Sequence, residues 1–209
     1  MFLNVDRECS NCIRLLSYRN EVKGEFPSWW NSPVNGFGDH NGWLLIVGLA
    51  PGKKGANRTG RPFTGDYAGD VLYKSLLTVG FATGVYNASV DDGIQLLDCS
   101  IINAVRCVPP ANKPVTSEIR ECSKFLLTDI QHMRNLRVIL CLGHIAHNAL
   151  FSILGGKLSH YSFKHRKQHN IGKYLVFDSY HCSRYNVNTK VLDEDDFTNL
   201  LLEIKSLDI

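Results

Sequence analysis

The sequence predicts an α/β fold of three layers, with helices on both faces of a central four-stranded, mostly parallel sheet. Four short apolar runs have the length of buried strands: residues 43–48, 96–105, 137–143 and 173–178. A segment with helical spacing of apolar residues follows each run, and strands that alternate with helices are typical of parallel sheets. Because no internal repeat or change in composition divides the chain, we expect a single domain over residues 1–209.

The first run leads into a Gly-rich stretch, residues 48–70, around which the rest of the chain is organised. The run ends at Gly48, and the loop that follows contains Phe63 and Asp66. A helix is predicted from about residue 67 to 79, with a glycine at its end. A strand that leads through a Gly-rich loop into a helix is where open α/β sheets bind ligands.

The later elements bring further polar groups to strand ends. The second run places Asn103 near its carboxyl end, and Thr116 is predicted to cap the helix that follows a Pro-rich loop. Residues 155–169 are basic and rich in histidine, which fits either a solvated loop or a patch that faces phosphate. A polar, aromatic loop containing His181 follows the last run, and Asp193 is predicted to cap the closing helix.

Composition limits the class of protein only loosely. The net charge of +3 is mildly basic and says little about partners. No apolar run is long enough to cross a membrane, and the first residues do not resemble a signal peptide, so we expect a soluble, cytoplasmic protein. Seven cysteines, an odd number at uneven spacings, argue against a disulfide framework and towards a metal site.

Four cysteines form the candidate metal site: Cys9, Cys12, Cys107 and Cys122. The first two form a CxxC motif that leads into a predicted helix, where the helix dipole favours thiolates. Four thiolates suit tetrahedral zinc or a [4Fe–4S] cluster, and the wide spacing of the second pair is less typical of zinc. Four unligated thiols are the alternative. Two further cysteines, Cys99 and Cys141, lie within apolar strands as core residues.

Three side chains at neighbouring strand ends form the candidate active site. Asn103 can accept and donate at once and so can read the edge of a pyrimidine, and Phe63 can stack on a flat ring. His181 can donate a hydrogen bond to an oxygen on which negative charge develops. Each also has a simpler interpretation: a strand cap, an inward-packed aromatic ring and a surface histidine. All three residues are expected at the carboxyl ends of neighbouring parallel strands, and this shared position favours a common binding site over three unrelated roles.

These segments together resemble the uracil-DNA glycosylase superfamily, and within it the iron–sulfur family 5 enzymes. Residues 48–52 (GLAPG) are similar to the first family motif and residues 57–66 to its continuation. Residues 103–110 (NAVRCVPP) match the segment that contains both a base-reading Asn and a cluster cysteine. Residues 181–189 resemble the last motif, which is usually His-Pro-Ser. The resemblance covers nearly the whole chain, in the right order.

The resemblance implies an enzyme that flips uracil out of DNA and hydrolyses its N-glycosidic bond, which initiates base excision repair. It implies that Phe63 stacks on the extruded base, that Asn103 reads its edge and that His181 stabilises the leaving base at O2. Gly48 and Leu49, as part of the first motif, would contact the substrate.

The resemblance also implies how the chain holds DNA and its cofactor. Ser183 would contact a phosphate, and Arg184 and Tyr185 would lie on the loop that enters the duplex, with Tyr185 as the wedge. A structural [4Fe–4S] cluster would be held by the four cysteines of the candidate metal site, and the protein would act as a monomer on DNA.

Two positions depart from the family patterns. The related family 4 enzymes have an acidic residue where this chain has Leu49, and Leu cannot orient water. Family 5 proteins share this absence. Asp66 then becomes the nearest candidate carboxylate, with the N-cap of the next helix as its alternative or additional role. Cys182 replaces the Pro of the last motif and is not counted as a cluster ligand.

Three rival interpretations stay open at this stage. A pocket without the acidic residue could accept hypoxanthine, xanthine or ethenocytosine as well as uracil. A non-catalytic, cluster-bearing module that binds damaged DNA would share the same motifs. The third alternative is a zinc-containing α/β protein unrelated to DNA.

Overall fold

The computed structural model describes residues 2–208. Its strands are β1 (Phe37–Gly38), β2 (Leu44–Gly48), β3 (Ala82–Thr83), β4 (Gln95–Leu96), β5 (Cys99–Asn103), β6 (Val138–Leu142), β7 (Gln168–Ile171) and β8 (Tyr174–Ser179). Its α-helices are α1 (Ile13–Glu25), α2 (Ala56–Thr59), α3 (Tyr67–Val79), α4 (Thr116–His132), α5 (His144–Ile153), α6 (Arg184–Asn188) and α7 (Glu194–Lys205). Short 3-10 helices span Pro110–Asn112 and Leu158–His160.

The central sheet confirms the predicted α/β class and corrects the number of strands. Its order is β1-β5-β2-β6-β8-β7, and the four inner strands are the four predicted ones, all parallel. The two edge strands, β1 and β7, run antiparallel to their neighbours, so the sheet has six strands instead of four. Sequence pattern missed β1 because it has only two residues.

The basic segment 155–169 was predicted to be a loop or a phosphate-facing patch, and its end is instead part of β7. Burial alternates along this strand, with His169 and Ile171 inward and Gln168 and Asn170 exposed. The inward polar residue hides the apolar alternation by which strands are recognised. The predicted second strand, residues 96–105, is divided in the structure. Leu96 belongs to β4, which pairs with β3 in a separate two-stranded sheet, and Asp98 with φ +58° separates β4 from β5.

Helix ends follow the predicted capping chemistry in most places. Helix α3 begins and ends as predicted, and Gly80 closes it with φ +77° in the left-handed region that favours glycine. Asp193 caps α7 as predicted. The prediction for Thr116 is wrong, because this residue is already helical and Val115 precedes the helix. There the Glu118 carboxylate accepts a hydrogen bond from Val115 N at 2.8 Å, which replaces a hydroxyl cap.

The core lies on both faces of the sheet, as three layers require. Along β2, Leu44 and Ile46 pack towards α3 and α7, whereas Leu45 and Val47 pack towards α4 and α5. The alternation follows the two-residue period of a strand. The carboxyl ends of the parallel strands therefore meet at one edge of the sheet, between the two helical layers. Within residues 2–208 no helix is long and apolar enough to cross a membrane.

A buried polar network ties β8 to its neighbours just before the His181 loop. Asp178, which is fully buried, bonds His147 Nδ1 of α5 at 2.7 Å and His169 Nε2 of β7 at 2.9 Å. His147 Nε2 lies 2.8 Å from the carbonyl oxygen of Tyr161. Both carboxylate oxygens are therefore used, and each joins a different element to β8.

Replacing Asp178 by Asn is expected to destabilise the fold. Asn has one acceptor oxygen, so one of the two histidines loses its acceptor inside the core. We expect a loss of about 2–4 kcal/mol in the free energy of unfolding, or a melting temperature lower by about 5–15 °C. The exposed Asp195 provides a matched control, in which the same change leaves the melting temperature nearly unaltered. A shift in Asp178→Asn no larger than in Asp195→Asn would contradict a stabilising role for the network.

Candidate active site

A cleft of about 570 Å³ opens at the carboxyl edge of the sheet, beyond β2 and β5. It brings together most of the residues predicted for the site: Leu49, Phe63, Asp66, Asn103, His181, Ser183 and Arg184. These residues come from three separate segments of the chain, as expected if the strands that precede them are parallel. Gly48 lies directly behind the cleft, and Tyr185 lies next to it on the surface.

Gly48 allows the two central side chains to approach the strand. A Cβ at this position would overlap the Asn103 amide oxygen and would lie 2.5 Å from the Phe63 ring. Both neighbours are buried, so neither can move aside without disturbing the cleft. The glycine at the end of β2 is therefore required by packing, and its role is to let Asn103 and Phe63 meet.

Asn103 has the clearest mark of a binding group. It stands at the end of β5 and is only 2 % exposed. Its Oδ1 atom has no hydrogen-bond partner among the described residues. A buried acceptor left unpaired costs about 1–3 kcal/mol, so such atoms are rare unless a ligand completes them. The amide oxygen is thus available to a donor that enters the cleft.

Phe63 and His181 line the same cleft as this amide, with their rings close to each other. The ring centroids are 5.7 Å apart, and the planes differ by 26°. Phe63 has φ +52°, in the left-handed region that aromatic residues seldom adopt. The simpler interpretation of an inward-packed phenylalanine is partly right, since the ring is buried, but its exposed remainder faces the cleft.

The His181 imidazole is uncharged near neutral pH. Burial lowers its pKa to about 4, because the cleft wall disfavours the charged form. A neutral imidazole still has one N–H that can donate a hydrogen bond. The ring can therefore support a developing anion without adding a permanent charge to the cleft.

The depressed pKa of His181 has a consequence for stability. The unfolded chain binds a proton at this histidine below about pH 6.5, whereas the folded chain does so only near pH 4. Stability should therefore fall as pH drops through this window. We expect His181→Gln to show a smaller loss of melting temperature between pH 6.5 and pH 4 than the wild type. His40→Gln, at an exposed position, serves as control, and equal slopes in all three proteins would contradict the burial of a neutral His181.

Asp66 occupies both of its predicted positions. Its Oδ1 atom accepts a hydrogen bond from Gly69 N at 3.1 Å and so caps α3. The same side chain lines the cleft, and its Oδ2 atom lies against the turn formed by Gly52 and Gly55, where an added Cβ would crowd it. Burial raises the pKa of Asp66, while backbone N–H groups at the helix start act in the opposite direction. One oxygen is committed to the cap and the other remains free for chemistry.

The loop after β8 places a short helix at the rim of the cleft. Ser183 caps α6 by accepting from Asn186 N at 3.3 Å, which leaves its hydroxyl hydrogen free to donate. The Arg184 guanidinium lies 5.2 Å from the centre of the Tyr67 ring. Tyr185 is 73 % exposed and projects from the surface. An exposed aromatic ring beside a cation is a suitable surface for nucleic acid.

Cys182, which replaces the Pro of the last motif, anchors this loop in the core. Its side chain is fully buried, and its thiol donates to the carbonyl oxygen of Ala68 in α3 at 3.3 Å. The contact ties the last motif to the helix that Asp66 caps. Cys182 and Cys99 lie in the core beside α3, and Cys141 lies in the core on the other face of the sheet, so none of the three is close to the candidate metal site.

The four remaining cysteines, Cys9, Cys12, Cys107 and Cys122, line one small cavity between α1 and α4. Cys12 is the N-cap residue of α1, and the sulfur of Cys122 accepts a hydrogen bond from Arg106 N at 3.2 Å. Burial raises the pKa of Cys12 to about 11 and that of Cys107 to about 12. Thiolates would therefore form here only with a compensating positive charge.

The surroundings of this cavity are suited to an anionic group. Arg106 is fully buried beside it and pairs with Asp129 at 2.6 Å, but its Nε and Nη1 atoms have no partner among residues 2–208. Arg19, also buried, has an unpartnered Nε and donates to the carbonyl oxygen of Cys9 at 2.8 Å. Buried guanidinium groups with free N–H donors are costly unless a negative charge lies nearby.

The spacing of the sulfur atoms distinguishes between kinds of metal site. No three of these four sulfurs lie within 4.8 Å of one another in the described part of the chain. Zinc–sulfur bonds of about 2.3 Å in a tetrahedron would bring the sulfurs to roughly 3.8 Å. The cysteines are therefore spread more widely than a single zinc ion requires, and a larger group fits them better.

Sequence comparison agrees with this geometry. The family model described as "Uracil DNA glycosylase superfamily" matches residues 35–205, a segment that includes every residue of the cleft. The chain belongs to the uracil-DNA glycosylase superfamily. A type-5 uracil-DNA glycosylase of Pyrobaculum aerophilum is 39 % identical over 96 % of this chain and 89 % of its own length. One from Thermus thermophilus is 38 % identical over 99 % of this chain and 96 % of its own.

Superfamily relatives of type 4 are more distant from this chain. A type-4 uracil-DNA glycosylase of Saccharolobus solfataricus is 29 % identical over 91 % of this chain and 79 % of its own length. This difference agrees with Leu49, which lines the cleft where the type-4 pattern has an acid. The Leu49 side chain brings only apolar surface to the cleft. A carboxylate in the cleft must therefore come from another residue.

Sequence reasoning missed several residues of the cleft. Lys54, Tyr67 and Asn112 also line it. Asn112 comes from the loop between Cys107 and Cys122 and has φ +55°, so the cysteine site and the cleft share one loop. Asn tolerates the left-handed backbone conformation, so its presence in the loop could have indicated a turn. Nothing in the sequence indicated that this turn would reach the cleft.

Proposed function

We propose that the chain is a monofunctional DNA glycosylase that excises uracil from DNA and so initiates base excision repair. One observation supports this most strongly: the unpartnered, buried amide oxygen of Asn103 lines the same cleft as the rings of Phe63 and His181. That arrangement suits a flat base with a donor on its edge. The similar proteins named type-5 uracil-DNA glycosylases support the same activity.

The first step of the proposed reaction is extrusion of the target nucleotide. The bond to be cut is inaccessible inside the stack, so the enzyme must flip the nucleotide at a cost of a few kcal/mol. Phe63 then stacks on the uracil ring. The Asn103 Oδ1 atom accepts from the N3–H group, and the amide nitrogen donates to the C4 carbonyl. These contacts select a base by its edge and hold it for cleavage.

The second step breaks the bond between C1′ and N1. The electron pair of this bond moves to the base, which leaves as an anion with charge on O2, and the sugar becomes cationic. His181 donates its N–H to O2 and stabilises the anion, which lowers the barrier because the donor is already in place. The neutral state of the imidazole suits this role.

Water completes the hydrolysis by bonding its oxygen to C1′, and the proton that it releases neutralises the uracil anion. Asp66 is the carboxylate among the residues that line the cleft, so we assign to it the orientation of water and the offset of positive charge on the sugar. Its Oδ1 atom would remain in the helix cap, and Oδ2, which lies beside Gly52 of the cleft wall, would contact the water. Asp66 would thereby take the role of the acidic residue that family 4 enzymes have at the position of Leu49.

DNA is the proposed partner, and the rim of the cleft would hold it. Ser183 would donate to a phosphate, Arg184 would neutralise backbone charge, and Tyr185 would enter the duplex beside the flipped nucleotide. Since the cleft is built from one chain, we propose that a monomer with a single glycosylase domain, residues 1–209, is the active form. With DNA as substrate and cysteines that are unpaired, we expect it to act in the reducing interior of the cell.

We also infer that Cys9, Cys12, Cys107 and Cys122 hold a [4Fe–4S] cluster. The wide sulfur spacing and the free N–H donors of Arg19 and Arg106 support this over zinc. A bound cluster would supply a cross-link between the N-terminal helix and the loop that ends in α4. Through Asn112, the same loop reaches the cleft. The protein's own residues would perform the excision, and a bound cluster would keep this loop in place.

A panel of duplexes tests the proposal. Each contains one target: uracil opposite A, uracil opposite G, hypoxanthine, xanthine, ethenocytosine or thymine. Alkali then breaks any abasic site, and a gel detects the break. We expect cleavage after alkali for both uracil duplexes and none for thymine, while the other three bases show how widely the Leu49 pocket accepts substrates. Tight binding without cleavage of any target would reject the enzyme in favour of a non-catalytic module that binds damaged DNA.

A further inference from the structure

The backbone at Phe63 needs external support. Its φ of +52° lies in the left-handed region, where the Cβ of any residue except glycine is crowded. Such conformations persist only where the surroundings impose them. The ring of Phe63 lines the cleft in this backbone conformation, so a contact that holds the turn also affects the shape of the pocket.

The hydroxyl of Tyr86 bridges the two peptide groups that flank this turn. It donates to the carbonyl oxygen of Phe63 at 3.3 Å and accepts from Gly65 N at 3.4 Å. Gly69 leaves room for the contact, because a Cβ there would overlap the Phe63 carbonyl oxygen and lie 2.8 Å from the Tyr86 hydroxyl. A side chain 23 residues away in sequence thus touches both sides of the strained turn.

Tyr86 is itself held by a rigid support. Its ring stacks on Tyr73 at 4.5 Å between centroids, with the planes 20° apart, and the Tyr73 hydroxyl donates to the carbonyl oxygen of Pro62 at 2.9 Å. Beneath the rings, Arg61 donates to Thr64 Oγ1 at 2.7 Å. The carbonyl oxygens of Pro62 and Phe63 and the hydroxyl of Thr64 therefore each accept a hydrogen bond from this group of side chains.

A buried ion pair fixes the segment that contains Tyr86. Arg61 forms two hydrogen bonds with Asp92, at 2.9 and 2.7 Å, and both side chains are almost completely buried. Asp92 also accepts from the backbone N–H groups of Asn87 and Ile94, at 3.0 and 3.2 Å. The carboxylate therefore closes the exposed connection between β3 and β4 and sets the position of Tyr86 within it.

We propose that Tyr86 is a positioning residue for base recognition, which acts through its hydroxyl group by holding Phe63 in the orientation that stacks on the flipped base. Tyr86 is not among the residues that line the cleft, so it would act through Phe63. This role rests on the proposed function, because its effect on catalysis is measured as a rate of uracil excision. Burial raises the pKa of Tyr86 to about 12, so the hydroxyl keeps the proton that it donates.

Tyr86→Phe tests the proposal because it removes the hydroxyl and keeps the stacked ring. We expect the single-turnover rate of uracil excision to fall about 10-fold, with affinity for undamaged duplex within about twofold of the wild type. Tyr174→Phe is the matched control, since it makes the same change at a half-buried tyrosine of β8 far from the turn, and we expect it to retain the wild-type rate. A wild-type rate in Tyr86→Phe would overturn the proposal.

A double-mutant cycle separates positioning from general stability. If Tyr86 acts through Phe63, then adding Tyr86→Phe to Phe63→Leu causes no further loss of excision rate. Multiplication of the two losses would mean that Tyr86 acts independently of Phe63 and would overturn the proposal. A melting temperature within about 3 °C of the wild type is expected for Tyr86→Phe, since only two long hydrogen bonds are lost.

Amide hydrogen exchange gives a readout that requires no activity. We expect the Gly65 amide, which donates to Tyr86, to exchange at least about tenfold faster in Tyr86→Phe, whereas amides of the central strands keep their protection. Unchanged exchange at Gly65 would overturn the proposal even in an active enzyme. If the wild type fails to release uracil while Gly65 responds as expected, the proposed function fails and the support of Phe63 by Tyr86 stands.

Discussion

Replacing Asp66 by Asn is expected to lower the single-turnover rate of uracil excision by about 10²-fold or more, while affinity for DNA stays close to that of the wild type. Asn caps helices as well as Asp does, so the bond from Gly69 N and the start of α3 should survive. Only the negative charge is lost. The variant therefore separates the two roles that Asp66 has in the structure, the helix cap and the carboxylate of the cleft.

The matched control for this variant is Asp193→Asn. Asp193 caps α7 by accepting from the backbone N–H groups of Asp195 and Asp196, and it lies outside the cleft. We expect wild-type excision and a nearly unchanged melting temperature. If Asp66→Asn excises uracil at the wild-type rate, Asp66 has no part in the reaction. An equal loss of rate and of DNA affinity would likewise contradict its assignment to the chemical step.

The second large effect is expected for Cys107→Ser. Loss of one of four ligands should prevent stable binding of the cluster, so the purified variant should lose the brown colour and the absorption in the violet that a [4Fe–4S] cluster gives. We expect its melting temperature to fall by more than about 10 °C, because the link between α1 and the loop before α4 disappears. Excision should fall with it, since that loop reaches the cleft through Asn112.

Cys99→Ser is the control for removal of a buried thiol. Cys99 lies in β5, outside the four-cysteine cavity, and donates to the carbonyl oxygen of Phe81 at 3.4 Å, a bond that serine can also make. This variant should keep its colour. A colourless wild-type protein that contains zinc would contradict the cluster, and a Cys107→Ser variant with the wild-type spectrum would exclude Cys107 as a ligand.

The parallel core of the fold was predictable because its signal is local. Apolar runs such as Leu44–Gly48 need no knowledge of distant residues to be recognised as buried strands. The edge strand β7 was not predictable in the same way, since its inward residue His169 is polar and is buried by distant side chains such as Asp178 and Phe151. A pairing between residues nine positions apart in sequence but on different strands leaves no periodic pattern.

The candidate site was predictable to the extent that motifs define it. Asn103, Phe63 and His181 follow strands whose carboxyl ends meet, so their convergence could be expected. The positive φ of Phe63 and its support by Tyr86 could not, because they depend on contacts between the turn and a connection after the next helix. Long-range side-chain contacts of this kind are determined by the tertiary fold.

The most direct test of the central claim is the release of free uracil from a duplex with one uracil opposite G, followed by mass spectrometry under single-turnover conditions. We expect one uracil to be released per duplex, with the DNA strand intact until alkali is added. Asn103→Ala should lower the rate of release by about 10²-fold or more, because it removes the amide that reads the base. Binding of the duplex without release of uracil by the wild-type protein would contradict the assignment.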